Sequence, residues 1–262
     1  MSAPSGALAG IRVIDAGTMV AGPLGASLLA DFGADVIKVE PITGDESRTF
    51  GPCRDGVSGV FVGVNRNKRD IALDLRTDEG RRVFLELCAG ADVVIDNMRA
   101  PVKKKLGVTA DVLRAANPRL IVLSVSGYGE VGPLADRPAL DPVAQAITGF
   151  MQATGDPSGE ALKAGPPVAD SATGYLVAVA ALVALLGRER TGEGQQGSVS
   201  LVQSLFHLQS PWVGQYLLAG YVNPKSGNAS NFYAPYNAYP TADGGMVHVV
   251  AFNDRFFGNL LA

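Results

Sequence analysis

Between residues 11 and 126 short apolar runs alternate with stretches of about ten residues that carry helical spacing, and this alternation constrains the fold most. Residues 11–15 (Ile-Arg-Val-Ile-Asp) are closed by Gly17. Gly22-Pro23 then opens a helical stretch through Leu24, Ala26, Leu28, Leu29 and Phe32. A proline near the first helical position costs little, because its missing N–H has no intrahelical partner there. Gly33 ends the stretch, and residues 34–40 read as a second strand. The pattern repeats as strand 70–75, helix 78–88, strand 91–96, helix 109–116 and strand 120–125. Strands separated by such crossovers form a parallel α/β sheet.

After residue 130 helical segments dominate, at 142–151, 171–187 and 200–220. The Gly/Asn/Ser-rich loop 225–231 follows and reads as mobile or functional. Strands return at 237–239 and 246–250, joined by the turn Ala242-Asp243-Gly244-Gly245. The expected division is a large α/β domain over 1–220 and the start of a smaller α+β domain over 221–262. The sequence ends inside a helical stretch at 253–262, which is read as an incomplete fold: a fragment, or a chain completed by a partner.

Composition narrows the function. Twenty-two Lys and Arg against 25 Asp and Glu leave a net charge of −3, and no stretch gathers enough cations to track nucleic-acid phosphates. A 47% hydrophobic content excludes disorder. Cys53 and Cys88 make no disulfide framework, and with only two histidines no metal set is expected. That usage fits a reducing cytosol. The first six residues show neither a basic nor an apolar signal region. The most apolar run, 174–187, has 14 residues, short of the ~20 a bilayer needs, so a buried core helix and no membrane span is expected.

Each candidate motif has a plainer reading beside it. Segment 15–40 has the outline of a dinucleotide-binding start, but Gly17, Gly22 and Gly25 depart from G-x-G-x-x-G. A plain βαβ unit therefore outweighs a nicotinamide site, although the N–H groups near Ala21 and Gly22 suit an anion. The basic clusters 65–69 and 103–105 read as solvated faces. Asp170 precedes the apolar helix; residue physics favours an N-cap, and the alternative is a carboxylate nucleophile. His207 and His248 sit in apolar surroundings and read as structural, and no G-x-S-x-G elbow occurs.

Taken in order, GIRVIDAG, AGP, LLADFGADVIKVE, GDESR, NRNKRDIALDL, ADVVIDNMR, NPRLIVLSVSGYGEVGP, DPVAQAITGFMQATG, AGPPVADSATGYLVAVAALVAL and RTGEGQQGSVSL resemble the family III CoA-transferases. This group includes formyl-CoA transferase, L-carnitine dehydratase-type proteins, bile-acid-inducible protein F and α-methylacyl-CoA racemase. The resemblance implies a Rossmann-like α/β fold in an interlocked dimer, homomeric or formed with a related subunit. It implies Asp170 as catalytic residue and CoA contacts at Met19, Val20, Ala21, Asn97, Met98, Lys105 and Arg137. It also implies that CoA thioesters and a small carboxylic acid are substrates, with no permanent cofactor and no metal. Asp170 would attack the thioester and pass through an aspartyl-CoA intermediate, with N–H groups at the start of its helix receiving the oxyanion.

Val20 stands where formyl-CoA transferases carry glutamine, and Pro41 where they carry a CoA-contacting arginine, which argues against formyl specificity. Racemases of the family carry a His-Asp pair where this chain has Leu140-Asp141. Leucine moves no proton, so the transferase is preferred. The alternatives are a racemase or isomerase of the same fold, and a non-catalytic, partner-dependent subunit.

Overall fold

The computed structural model describes residues 6–262; the segment 1–5, to which the signal-region expectation applies, lies outside the described residues. The chain forms two compact units, one taking the residues up to Ala144 with Pro167–Leu208, the other Gln145–Pro166 with Gln209–Ala262.

The first unit opens with β1 (Arg12–Ala16), α1 (Ala21–Asp31) and β2 (Asp35–Glu40). A small hairpin, β3 (Cys53–Arg54) and β4 (Val57–Ser58), leads to α2 (Gly59–Asn65), β5 (Lys68–Ala72) and α3 (Asp78–Ala89). Next come β6 (Val93–Asp96), α4 (Ala100–Leu106), α5 (Ala110–Ala116) and β7 (Ile121–Ser126). The division between the units falls within α6 (Asp141–Ile147). The first unit then closes with α7 (Val168–Thr191), β8 (Gln196–Ser200) and α8 (Leu201–Leu208).

Six strands make one parallel sheet in the order β5-β2-β1-β6-β7-β8. Alternate residues point to opposite faces. Ile14, Val94 and Val122 join Phe84, Cys88 and Leu113 in one core layer. Val13, Val93, Ile95, Ile121 and Leu123 are equally buried and belong to the other face, where α1 and α7 pack on each other. Burial on both faces is why these strands read as continuous apolar runs.

The structure corrects three expectations here. Strand β8 was not foreseen, because Gln196, Ser198 and Ser200 give it no apolar signature; pairing with β7 supplies the backbone bonds that make it a strand. The helix expected over 200–220 is two, α8 and α9 (Ser210–Ala219), divided at Gln209 before a proline that can start a helix but not continue one. Gln145–Pro166 groups with Gln209–Ala262 in the second unit. Finally, α7 is 24 residues long with a mean hydropathy of 1.8 in its most apolar window. By length and composition it could cross a bilayer. Here half of that window is buried in the protein, and its buried Arg188 pairs with Asp92 at 2.9 Å.

In the second unit β9 (Tyr236–Pro240) and β10 (Met246–Val250) form the expected antiparallel hairpin, closed by Thr241 N–H donating to Gly245 O. The Asn253 side chain caps α10 (Asp254–Leu261) through the Phe256 N–H at 3.0 Å. Loop 225–231 is tied down by Gly227 N–H to Gly155 O and by the Lys225 ammonium to Gly159 O.

Candidate active site

The sheet order reverses between β1 and β6, which run side by side although the chain leaves β1 toward β2. Loops leaving the carboxyl ends of two such strands diverge and leave a crevice. A cavity of about 510 Å³ lies there, lined by the loop after β1, the loop after β6, the start of α4, the 124–141 segment and the first turn of α7.

The loop after β1 is held by buried charge. Asp15 accepts the Gly17 N–H (3.0 Å), and the Lys38 ammonium donates to Gly17 O (2.9 Å). Asn97 clamps Thr18, accepting its N–H (3.0 Å) and donating to its carbonyl (2.8 Å). Met19 sits in the left-handed region at φ 68°, and its N–H reaches both Asp45 oxygens at 3.2 and 3.3 Å. A β-unbranched residue tolerates this φ only when its surroundings hold it. Burial pushes the Asp45 carboxyl up, but Lys38 at 2.9 Å and Ser47 more than offset it, holding Asp45 below the usual carboxylate range. Helix α1 then starts at Val20–Ala21 with no side-chain cap. An uncapped N-terminus is suited to a phosphate or carboxylate.

At α7 the cap expected of Asp170 is supplied by another residue. Pro167 occupies the cap position and has no acceptor side chain. Instead Asp141 Oδ2 accepts the N–H groups of Ala169 (2.7 Å) and Asp170 (3.1 Å). Asp170 is the third residue of the helix and lines the cavity. Burial first, and then the charge of Asp141, raise its pKa to about 6. Three N–H groups at the helix start where an oxyanion was expected are taken, two by Asp141 and that of Ser171 by Pro167 O at 2.9 Å.

Of the residues anticipated from sequence, Met19, Val20, Ala21, Asn97, Met98, Arg137 and Asp170 share this cavity. Lys105 does not; it is exposed near the end of α4, outside the lining. The lining lysine is Lys103, which is buried beside Ser124 (2.6 Å), Asp96 (3.3 Å) and Glu130 (3.5 Å). Asp96 is pushed up by burial, against the pull of Lys103 and Ser124. Arg99 also lines the cavity and anchors the 124–141 segment by donating to Asp136 O at 2.7 Å.

Cluster 65–69 is solvated only in part, the Arg66 and Arg69 side chains being 39% and 59% exposed. Lys68 is buried against Asp15 at 2.7 Å, Arg66 binds Asp31, and Arg69 binds Asp35. Among the described residues no group of three or more His, Cys, Asp or Glu suits a metal ion. The histidines are both exposed, and His248 stacks edge-on against Tyr236. Burial pushes the Cys88 thiol up to about 12.

Lys38, Asp45, Lys103 and Asp141 were missed as site residues. Lys38 did carry a signal, a cation inside the apolar strand DVIKVE that burial obliges to find a partner. Asp141-Pro142 likewise has the form of a helix start.

The sequence profile of CoA-transferase family III matches residues 8–262. The chain is 42% identical over 257 residues to the succinyl-CoA–L-malate CoA-transferase beta subunit of Chloroflexus aurantiacus, covering 97% of this chain and 64% of that protein. It is 39% identical to the succinate–glutarate CoA-transferase of Agrobacterium fabrum, covering 95% of this chain and 64% of that protein. A crystal structure of a CAIB/BAIF family protein from Brucella suis superposes with a TM-score of 0.91 at 38% identity, over 97% of this chain and 68% of that one. The chain thus spans 64% of the length of each of these two curated relatives.

Proposed function

The chain belongs to CoA-transferase family III, and from that membership we propose that it moves CoA from an acyl-CoA donor to a carboxylic acid acceptor, with Asp170 as covalent nucleophile. The observation that carries this reading is the Asp170 carboxylate itself. It lines the cavity, and its own helix start is capped by a different residue. A carboxylate not consumed by capping is available to attack an acyl group.

The cycle balances as a double displacement. Asp170 attacks the donor thioester carbonyl, the C–S bond breaks, and a mixed anhydride and CoA thiolate result. The thiolate attacks the aspartyl carbonyl of the anhydride, releasing the donor acid and leaving an aspartyl-CoA thioester. The acceptor carboxylate attacks that thioester, and the returning thiolate takes the acceptor acyl group from the second anhydride. Asp170 is regenerated as a carboxylate.

The uncapped start of α1, the Met19–Ala21 and Asn97–Met98 walls, Arg99 and Arg137 support a polyanionic nucleotide in the same cavity. Lys105 is kept in the proposal as a peripheral cation. The name of the Chloroflexus aurantiacus relative makes succinyl-CoA the first donor to try. Leu140 offers no proton-transfer group, which favours transfer over racemisation.

Mass spectrometry after mixing with succinyl-CoA and trapping with hydroxylamine tests the reading. The expected result is a hydroxamate on the Asp170 peptide, absent in Asp170→Asn. An adduct elsewhere, or full transfer by Asp170→Asn, overturns it.

The assembly we propose is a dimer with a second copy or a related subunit, supported by Tyr175, Val179, Val183 and Leu186, a stripe along α7 in which each residue is more than half exposed. A monodisperse monomer in light scattering refutes it. Two free thiols support a reducing, cytoplasmic location, which fractionation of the native cell checks: recovery outside the cytoplasm refutes it.

A further inference from the structure

Asp141 takes no chemical step in the proposed cycle, yet it is bonded to the backbone of the residue that does. It stands 29 positions before Asp170, at the opposite end of a long excursion of the chain. The residues directly before α7, Gly165-Pro166-Pro167, carry no side-chain acceptor, so nothing local satisfies the first N–H groups of the helix. Two carboxylates therefore meet at one helix start, and the donors there go to Asp141. The division has a chemical consequence. A carboxylate that accepts N–H bonds is stabilised as the anion and is a weaker nucleophile for it.

Resting on the assignment of Asp170 as the attacking carboxylate, we propose that Asp141 is its positioning residue, which takes the Ala169 and Asp170 N–H groups, fixes the first turn of α7 and keeps those donors away from the Asp170 side chain. Its charge adds a second effect. Burial and the Asp141 anion both favour protonated Asp170, whose pKa lies at about 6. Acylation of the enzyme then falls off as the pH drops through that value.

Among the described residues no other group takes this part. The remaining charged residues of the cavity lining, Arg99, Lys103, Asp111, Glu130, Asp136 and Arg137, do not act on Asp170 comparably. Among the elements packed on α7, β7 and β8 carry no titratable side chain, α1 carries Asp31 bound by Arg66, and α8 carries His207. Neither Asp31 nor His207 moves Asp170.

The test uses Asp141→Asn and Asp141→Ser, which keep an acceptor but lose the charge, and Asp141→Glu, which keeps both. The pH dependence of single-turnover adduct formation from succinyl-CoA is measured beside the titration of the Asp170 carboxyl carbon by NMR. That resonance is assigned by its loss in Asp170→Asn, and reading it requires no turnover. The neutral variants should move both titrations down by roughly half a pH unit or more, while Asp141→Glu holds them near the parent value. Unmoved titrations in a folded neutral variant overturn the inference while leaving Asp170 as nucleophile. If no neutral variant folds, the parent protein decides: an Asp170 titrating at or below the ordinary 3.8 overturns it. Full transfer by Asp170→Asn instead removes the underlying reading, whatever the titrations show.

Discussion

Helices α1 and α7 carry two sides of the cavity, Ala21 at the start of one and Asp170 in the first turn of the other, and they meet through glycine. A methyl group at Gly25 would lie 2.7 Å from Val177 Cγ1, 2.9 Å from Val177 Cβ and 3.0 Å from Gly174 O. Carbon atoms pack best at about 3.5–4.0 Å, so one side must give way by most of an ångström. Val177 is 0% exposed and has no solvent to swing into. Alanine is the better helix former by about 0.5–1 kcal/mol, and overpacking a full core costs about 1–3 kcal/mol. The second effect wins, so Gly25→Ala should lose about 1–2 kcal/mol in equilibrium urea unfolding, against its helix propensity.

The same displacement separates the cavity walls, so adduct formation at Asp170 should fall by about tenfold or more, further than CoA affinity does. Val177→Ala removes the 2.7 Å collision but leaves the contacts at 2.9 and 3.0 Å. The double variant should therefore be more stable than the sum of the single losses by about 1 kcal/mol. A Gly25→Ala protein as stable as its parent, or strict additivity with Val177→Ala, would refute the close-packing argument.

Two further predictions concern charge. The folded state raises Asp170 from 3.8 to about 6, so it holds this proton more tightly than the unfolded chain. Ionisation of Asp170 therefore costs stability, a penalty absent below 3.8, growing as the pH rises toward 6 and complete above it. Asp170→Asn should be more stable than its parent by about 1–2 kcal/mol at pH 8, with the gap closing toward pH 4; equal melting curves at pH 8 would show that burial does not penalise this carboxylate. Arg137→Glu should weaken CoA binding in calorimetry, more so at low salt, because Arg137 lines the cavity. Lys105→Glu, changed at an exposed site outside the lining, should do so less; the reverse order would move the phosphate contact to α4.

The parallel sheet was legible because its signals are local. The runs around Val13, Val36, Val93 and Val122 and the glycine after Asp31-Phe32 announce strands and a helix end from a few adjacent residues. Strand β8 was not legible, since Gln196, Ser198 and Ser200 become a strand only against β7. Nor was the fate of the basic residues. By local charge Lys68 and Lys103 belong in water, and both are buried beside carboxylates that arrive from other strands, Asp15 and Asp96. Of the anticipated site residues, those near the ends of β1 and β6 came together because a reversal of strand order always opens a crevice there. Lys105 fell outside because the helical turn of α4 directs Lys103, two residues earlier, inward instead.

The amino-acid sequence by itself determined the α/β class, the succession along the chain of the first five sheet strands and, through a long ordered series of motifs, the family. All of these rest on patterns read within a few residues of each other. It left Asp170 suspended between a helix cap and a nucleophile, because both roles ask for a carboxylate at the start of an apolar helix. The tertiary structure gives the capping role to another residue. It brings Asp141 from 29 residues upstream to take the helix N–H groups and leaves Asp170 partly buried on the cavity wall. A carboxylate's chemistry is set by the donors, charges and solvent around it, and at this site they come from segments distant in the chain.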